Sequence, residues 1–223
     1  MIASLILGAS VRADVIWVGW DSTDWADTNN WAQGFPTNAL AGNAIINPGP
    51  NPCVVSNAGN YTVDGVYVSI GVGMSIMPGG QLTIPTTFVT GVWGNSLPVD
   101  MTGGEVNIGG YLNICPGGLY QGRVNISGGT MTAGNLTIGP TNQAILDLSG
   151  TGKFVTVIGQ LANINYWINY GHNITAYGGT GTVNVDTNTI SGKIILTGVA
   201  AAPVTTRYWN GNSSQDWSNP NPA

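Results

Sequence analysis

An all-β solenoid, a parallel β-helix with Trp-rich terminal segments, is the fold class that this 223-residue sequence predicts, on three observations. First, charged residues make up only 7% of the chain, where roughly 25% is typical. The Lys, Arg and Glu that fill exposed helix faces are therefore nearly absent, while Val, Ile, Thr and aromatic residues recur, so strand is expected and almost no helix. Second, a motif repeats: MPGGQLTI (77–84), MTGGEVNI (101–108), ISGGTMTA (126–133) and, more loosely, LSGTGKFV (148–155), with starts 24, 25 and 22 residues apart. Third, a further short strand follows each Gly pair, in FVTGV (88–92), YLNICPG (111–117) and NLTIGPT (135–141). Two or three strands in each 22–25 residues form one turn of a coil. A single turn cannot bury its apolar face, so successive turns must stack at about 4.8 Å. A β-sandwich also has short strands and frequent turns, but it does not require one corner motif at near-constant spacing.

Taken in order, residues 1–13 carry an apolar run from Ile2 to Val11 followed by Val11-Arg12-Ala13, the pattern of a secretory cleavage site, and read either as a signal segment or as a retained N-terminal strand. Residues 14–53 form a Trp-rich cap. Rungs occupy 54–198, beginning with YTVDGVYV and its turn at Asp64-Gly65 and becoming less regular from 155 onward. Within them the pairs Gly79-Gly80, Gly103-Gly104 and Gly128-Gly129, with Gly150 in the looser copy, are read as corners with positive φ. Residues 199–223 are a linker and a second copy of the opening: superposing Trp17 on Trp209 also superposes Gly19 on Gly211, Ser22 on Ser214, Asp24 on Asp216 and Trp25 on Trp217. Six of the eight Trp lie in the two terminal stretches, namely Trp17, Trp20, Trp25, Trp31, Trp209 and Trp217. Bulky rings over a tight turn can cover the open end of a solenoid, and these six are the expected cap and assembly residues.

The combination of W-x-G-x-x-S-x-D-W and NW (Trp17 to Trp31), Gly34-Phe35-Pro36 and recurring apolar-S/T-G-G rungs resembles bacterial exported repeat proteins related to autotransporter passenger domains. The resemblance covers nearly the whole chain from Trp17. It implies export, display at the cell surface and a right-handed, pectin-lyase-like coil.

Enzymes built on such coils need clustered carboxylates or a cationic base. The chain has ten Asp and Glu against five Lys and Arg, and its repeats hold only Asp100, Glu105, Arg123, Asp147 and Lys153. Asp100 and Asp147 precede apolar-S/T-G corners, as Asn125 does, and so can lie near one edge of the coil, but they read first as turn residues. Glu105 and Arg123 read as a surface pair of little weight. No catalytic dyad follows. Asp21, Asp24 and Asp27 lack the Asp-x-Asp-x-Asp-Gly pattern of a calcium loop, and His172 has no second His or Cys nearby, so no metal or cofactor is expected. GGTGTVNV (178–185) lacks the Lys-Ser/Thr and helix of a phosphate loop. The net charge of −5 supplies no basic stripe for nucleic acid, and no apolar run is long enough for a membrane-spanning helix. Cys53 and Cys115 permit one disulfide or two buried thiols. Asn60, Asn125, Asn135, Asn173 and Asn212 head N-x-S/T sequons and are candidate glycosylation sites.

The expected function is structural: a subunit of an extracellular filament, surface layer or adhesive stalk whose partner is another copy of itself, joined head to tail through solenoid ends. The alternative is a carbohydrate-binding β-helix, with weak polysaccharide processing at most, that stacks glycans on aromatic residues such as Trp167 and Tyr170.

Overall fold

The computed structural model describes residues 13–36, 41–56 and 59–203. Half of the chain is strand, wound into stacked parallel coils of about 6 turns, the parallel β-helix expected from the repeat. The coil has three faces. Sheet C runs upward from β1 (Ala13–Trp17) through β3 (Ala41–Ile46), β6 (Gly65–Val68) and β9 (Thr87–Thr90). Sheet A starts at β4 (Cys53–Val55) and β7 (Met74–Ile76), and sheet B at β5 (Asn60–Thr62) and β8 (Gln81–Ile84). Two long strands, β10 (Val99–Ile114) and β11 (Gly122–Ile138), then wind through all three faces in turn. The sheet C column already begins at Ala13, so the segment read as a cap also supplies the first turns of the coil.

Alternation along each strand sends every second side chain inward, where like stacks on like. On sheet A, Cys53, Met74, Val99 and Val124 form one inward column, continued by Leu146 of β12 (Ala144–Leu148) and Ile174 of β14 (Ile174–Ala176). Each rung alone would leave these groups in water. Stacking removes roughly 1.5–3 kcal/mol worth of apolar exposure per large side chain, the term that holds the coil together.

The corner between sheets A and B is where the Gly pairs fall. Gly104 and Gly129 have φ of 73° and 75°, and a Cβ on either would stand 2.3–2.4 Å from the carbonyl oxygen of the glycine one rung below. Only bare backbone fits that column. The first copy turns differently: Gly79, not Gly80, has the positive φ, and the Gly80 N–H donates to Met77 O at 3.0 Å across a turn with Pro78 leading. Gly103 and Gly128 are not left-handed, and their role is close approach, with a Cβ meeting Pro78 and Thr102 O respectively. In the loose copy Gly150 has φ of 54°.

The upper end departs from the expectation of almost no helix. After β13 (Lys153–Val157) comes a nine-residue helix, α1 (Leu161–Asn169), with Ile164 fully buried and Leu161, Trp167 and Ile168 packed on the core. Those apolar positions recur at helical spacing, but Asn, not Lys or Glu, fills the polar face, which is why composition hid the helix. The irregular region beyond it is a hairpin, β15 (Thr182–Asp186) and β16 (Lys193–Val199), and β16 pairs antiparallel to β13. Helix and hairpin close the top of the coil where regular rungs stop.

Candidate functional site

The lower end is built on three buried indoles. Trp17 closes β1, and the chain returns through a 3-10 turn at Thr28–Asn30 to β2 (Trp31–Ala32), which pairs antiparallel with β1. Trp31 meets Trp17 edge to face at 5.2 Å and Trp25 at 4.7 Å, and Phe35 and Tyr61 extend the aromatic layer. Trp31 Nε1 donates to Trp25 O at 2.9 Å, and Trp17 Nε1 to Asn51 O at 3.2 Å. The buried Nε1 of Trp25 has no hydrogen-bond partner among the described residues. Trp20, in contrast, is 73% exposed and takes no part in the layer. Trp209 and Trp217 lie outside the described residues.

The DSTDWAD loop is held by a fully buried amide that the sequence reading did not single out. Asn30 Oδ1 accepts from the N–H groups of Asp21 and Ser22, and its Nδ2 donates to Ser22 Oγ and Asp24 O. The carboxylates complete the loop: Asp27 accepts from Ser22 Oγ at 2.7 Å and from the Asn29 N–H, Asp24 caps the Ala26 N–H, and Asp21 accepts from Asn29 Nδ2. The Ser22 hydroxyl and the Asn29 N–H hold the Asp27 carboxyl below its ordinary range. Thr23 O and the Trp25 N–H bond to Val54, so this loop forms a short lowest rung beneath sheet A.

The second cluster lies on the outer side of sheet A. Ser75, Asp100, Asn125, Asp147 and Thr175 occupy one column in consecutive rungs. They are strand residues and not the turn residues that the sequence suggested, because their constant place three residues before each upper Gly corner is still within the strand. Asn125 Nδ2 donates to Asp100 Oδ1 at 2.7 Å, and Arg123 Nε donates to Asn125 Oδ1 at 2.6 Å. Arg123 pairs with Asp147 at 3.7 Å, not with Glu105, which sits on sheet B and accepts from Asn107. Asp147 also accepts from Thr175 Oγ1 and the Gly178 N–H, so both its oxygens have donors. Two carboxylates two rungs apart share a column, yet each is tied into a ladder that joins the rungs.

A cleft of about 540 Å³ lies between the end of α1 and the hairpin, lined among others by Ile168, Asn169, His172, Thr175 and Val183. His172 is exposed there in a turn with φ of 50°. Cys53 and Cys115 are both buried and free, so the disulfide that their number permits is not formed. They belong to different walls of the coil: Cys53 starts a sheet A strand, and Cys115 follows the last sheet C residue of β10 and donates to Tyr120 O.

The sequons divide. Asn60 is exposed on β5 and Asn135 half-buried on β11, where its Oδ1 accepts from Gln160; Asn125 is bonded within the ladder. Asn173 is 3% exposed and donates to Thr141 O and Ala144 O, so its amide braces the coil and is closed to a sugar. Asn212 lies outside the described residues. Trp167 is half-buried against the core, whereas Tyr170 is exposed and stacks on Tyr166 at 6.0 Å.

Together the stacked rungs, aromatic floor and bonded ladders define a β-solenoid. Comparison with known protein families, with curated proteins and with solved structures finds no match to this chain. No helix among the described residues is long and apolar enough to cross a membrane.

Proposed function

We propose that the chain is a structural subunit of an extracellular filament, surface layer or adhesive stalk, joined to further copies end to end. The observation that carries this reading is the ladder of Asp100, Asn125, Arg123 and Asp147. Asp100, Arg123 and Asp147 are tied together through Asn125 across consecutive rungs of sheet A, which stiffens that column and engages these three charged groups in structure. The corner glycines support it too, since a column with no side chains lets successive rungs stack backbone on backbone. Export is supported by the apolar segment before Ala13 and by the resemblance to exported repeat proteins. Electron microscopy of the purified chain tests the reading: filaments or end-to-end chains are expected, and uniform monomers at high concentration overturn it.

Carbohydrate binding is a second reading, favoured by the exposed Tyr166–Tyr170 pair and by Trp93, which is half exposed and stacks on Tyr67 at 5.8 Å. Glycan-array retention by Trp93→Ala and Tyr170→Ala variants tests it, with loss of retention expected.

A further inference from the structure

The three sheets do not end alike. At the bottom, sheet A is underlain by the Thr23–Trp25 backbone and sheet C by β2. The lowest strand of sheet B, β5, pairs among the described residues only upward, with β8. At the top, sheet B is extended by β16 and then β15, and β15 pairs only with β16 among the described residues. Among the described residues sheet B therefore carries an unpaired strand edge at each end, and such edges are templates for a further strand.

Direction and register match between these edges. β16 is antiparallel to β13, and β15 is antiparallel to β16, so β15 runs the same way as β13 and β5. Following the pairs up the sheet, Tyr61, Leu82, Phe154, Leu196 and Val185 stand in one inward column. By the same register Asn60 and Asn184 end one outward column. A second copy placed with its β5 above β15 continues the sheet in parallel: Val185 meets Tyr61, Asn184 meets Asn60, and Asp186 meets Thr62, with no like charges opposed.

Charge favours the same polarity. Described residues before Val99 include five aspartates, Asp14, Asp21, Asp24, Asp27 and Asp64, and no lysine or arginine. Among the described residues from Gly122 upward, the basic Arg123, Lys153 and Lys193 outnumber the acidic Asp147 and Asp186. An acidic bottom faces a weakly basic top, an arrangement that steers copies head to tail and opposes bottom-to-bottom contact.

We infer that copies of this chain join through sheet B, β15 of one pairing in parallel with β5 of the next in the register Asn184 to Asn60. This inference rests on the end-to-end reading above and specifies its contact. Asn60→Cys and Asn184→Cys variants are mixed under mild oxidation, with Asn60→Cys plus Glu105→Cys, a mid-sheet position in the same column, as the control. The native thiols are buried and stay out of the reaction. The register predicts at least ten-fold more covalent dimer from the 60–184 mixture. Independently, an Asn60→Lys/Asn184→Lys chain should form at least five-fold shorter filaments, and Asn60→Asp/Asn184→Lys should restore their length. Filaments without the 60–184 crosslink overturn this contact while leaving end-to-end assembly standing; monomers with no crosslink overturn both.

Discussion

The indole N–H of Trp31 donates to the main-chain carbonyl of Trp25 at 2.9 Å, and the two rings meet edge to face with centroids 4.7 Å apart. The contact ties the loop's backbone to the ring layer at the bottom of the coil. Trp31→Ala should cost about 3–5 kcal/mol, the usual range for a buried aromatic truncation. Trp20→Ala, at the exposed neighbour, should change stability by about 0.5 kcal/mol or less. Denaturant unfolding of the two variants checks this.

Asn30 is the second support of that loop. Asn30→Ala strands the N–H groups of Asp21 and Ser22, and a loss of about 2–3 kcal/mol is expected from unsatisfied polar groups. Asn30→Asp keeps the acceptor but loses both Nδ2 donations and buries a carboxylate oxygen against Asp24 O, and should cost at least as much as Asn30→Ala in chemical denaturation at neutral pH.

At the corner, Gly104→Ala combines a left-handed φ with a Cβ 2.3 Å from Gly80 O, and should destabilise by about 2 kcal/mol or more. Gly117→Ala meets nothing within 4 Å and should be close to neutral. Thermal melting of the pair separates a stacking role from a generic glycine effect.

Acid should loosen the bottom before the coil. The Asp27 carboxyl is held below its ordinary value by Ser22 and the Asn29 N–H, so its contribution is fully present above the ordinary carboxylate range and is lost as pH falls through the lowered value. Trp fluorescence should report an acid transition that Asp27→Asn removes. Asp186, lowered by Thr189 and the Asn188 N–H, should behave likewise at the hairpin.

Burial, with Asp24 adding to it, pushes the Cys53 thiol well above its ordinary range. A thiol reagent at pH 8 should leave Cys53 unmodified in the folded chain and react with both cysteines in denaturant, since the thiolate is the reactive form. Two disulfide-linked cysteines in the native protein would contradict the structure.

The sequence by itself determined the rung. The recurring apolar-x-G-G motif carries its own physical cause, a column with no room for Cβ, and alternation after it assigns the inward side chains. The Trp-rich opening was legible as a cap, but not which of its rings are buried: Trp17, Trp25 and Trp31 form the floor, whereas Trp20, grouped with them in the sequence, is exposed. What lay between rungs was not legible. The repeat already set Asp100, Asn125 and Asp147 at equivalent places before the corner, but not that they are strand residues bonded into a ladder, and Arg123 chooses Asp147 over Glu105 because sheets A and B face different ways. The helix at Leu161–Asn169 and the reversal of β16 were decided by the need to close the top of the core, a demand that arises only when rungs stop. Local spacing fixes what one turn of chain does to itself; partners about 25 residues apart are chosen by stacking, and stacking exists only in three dimensions.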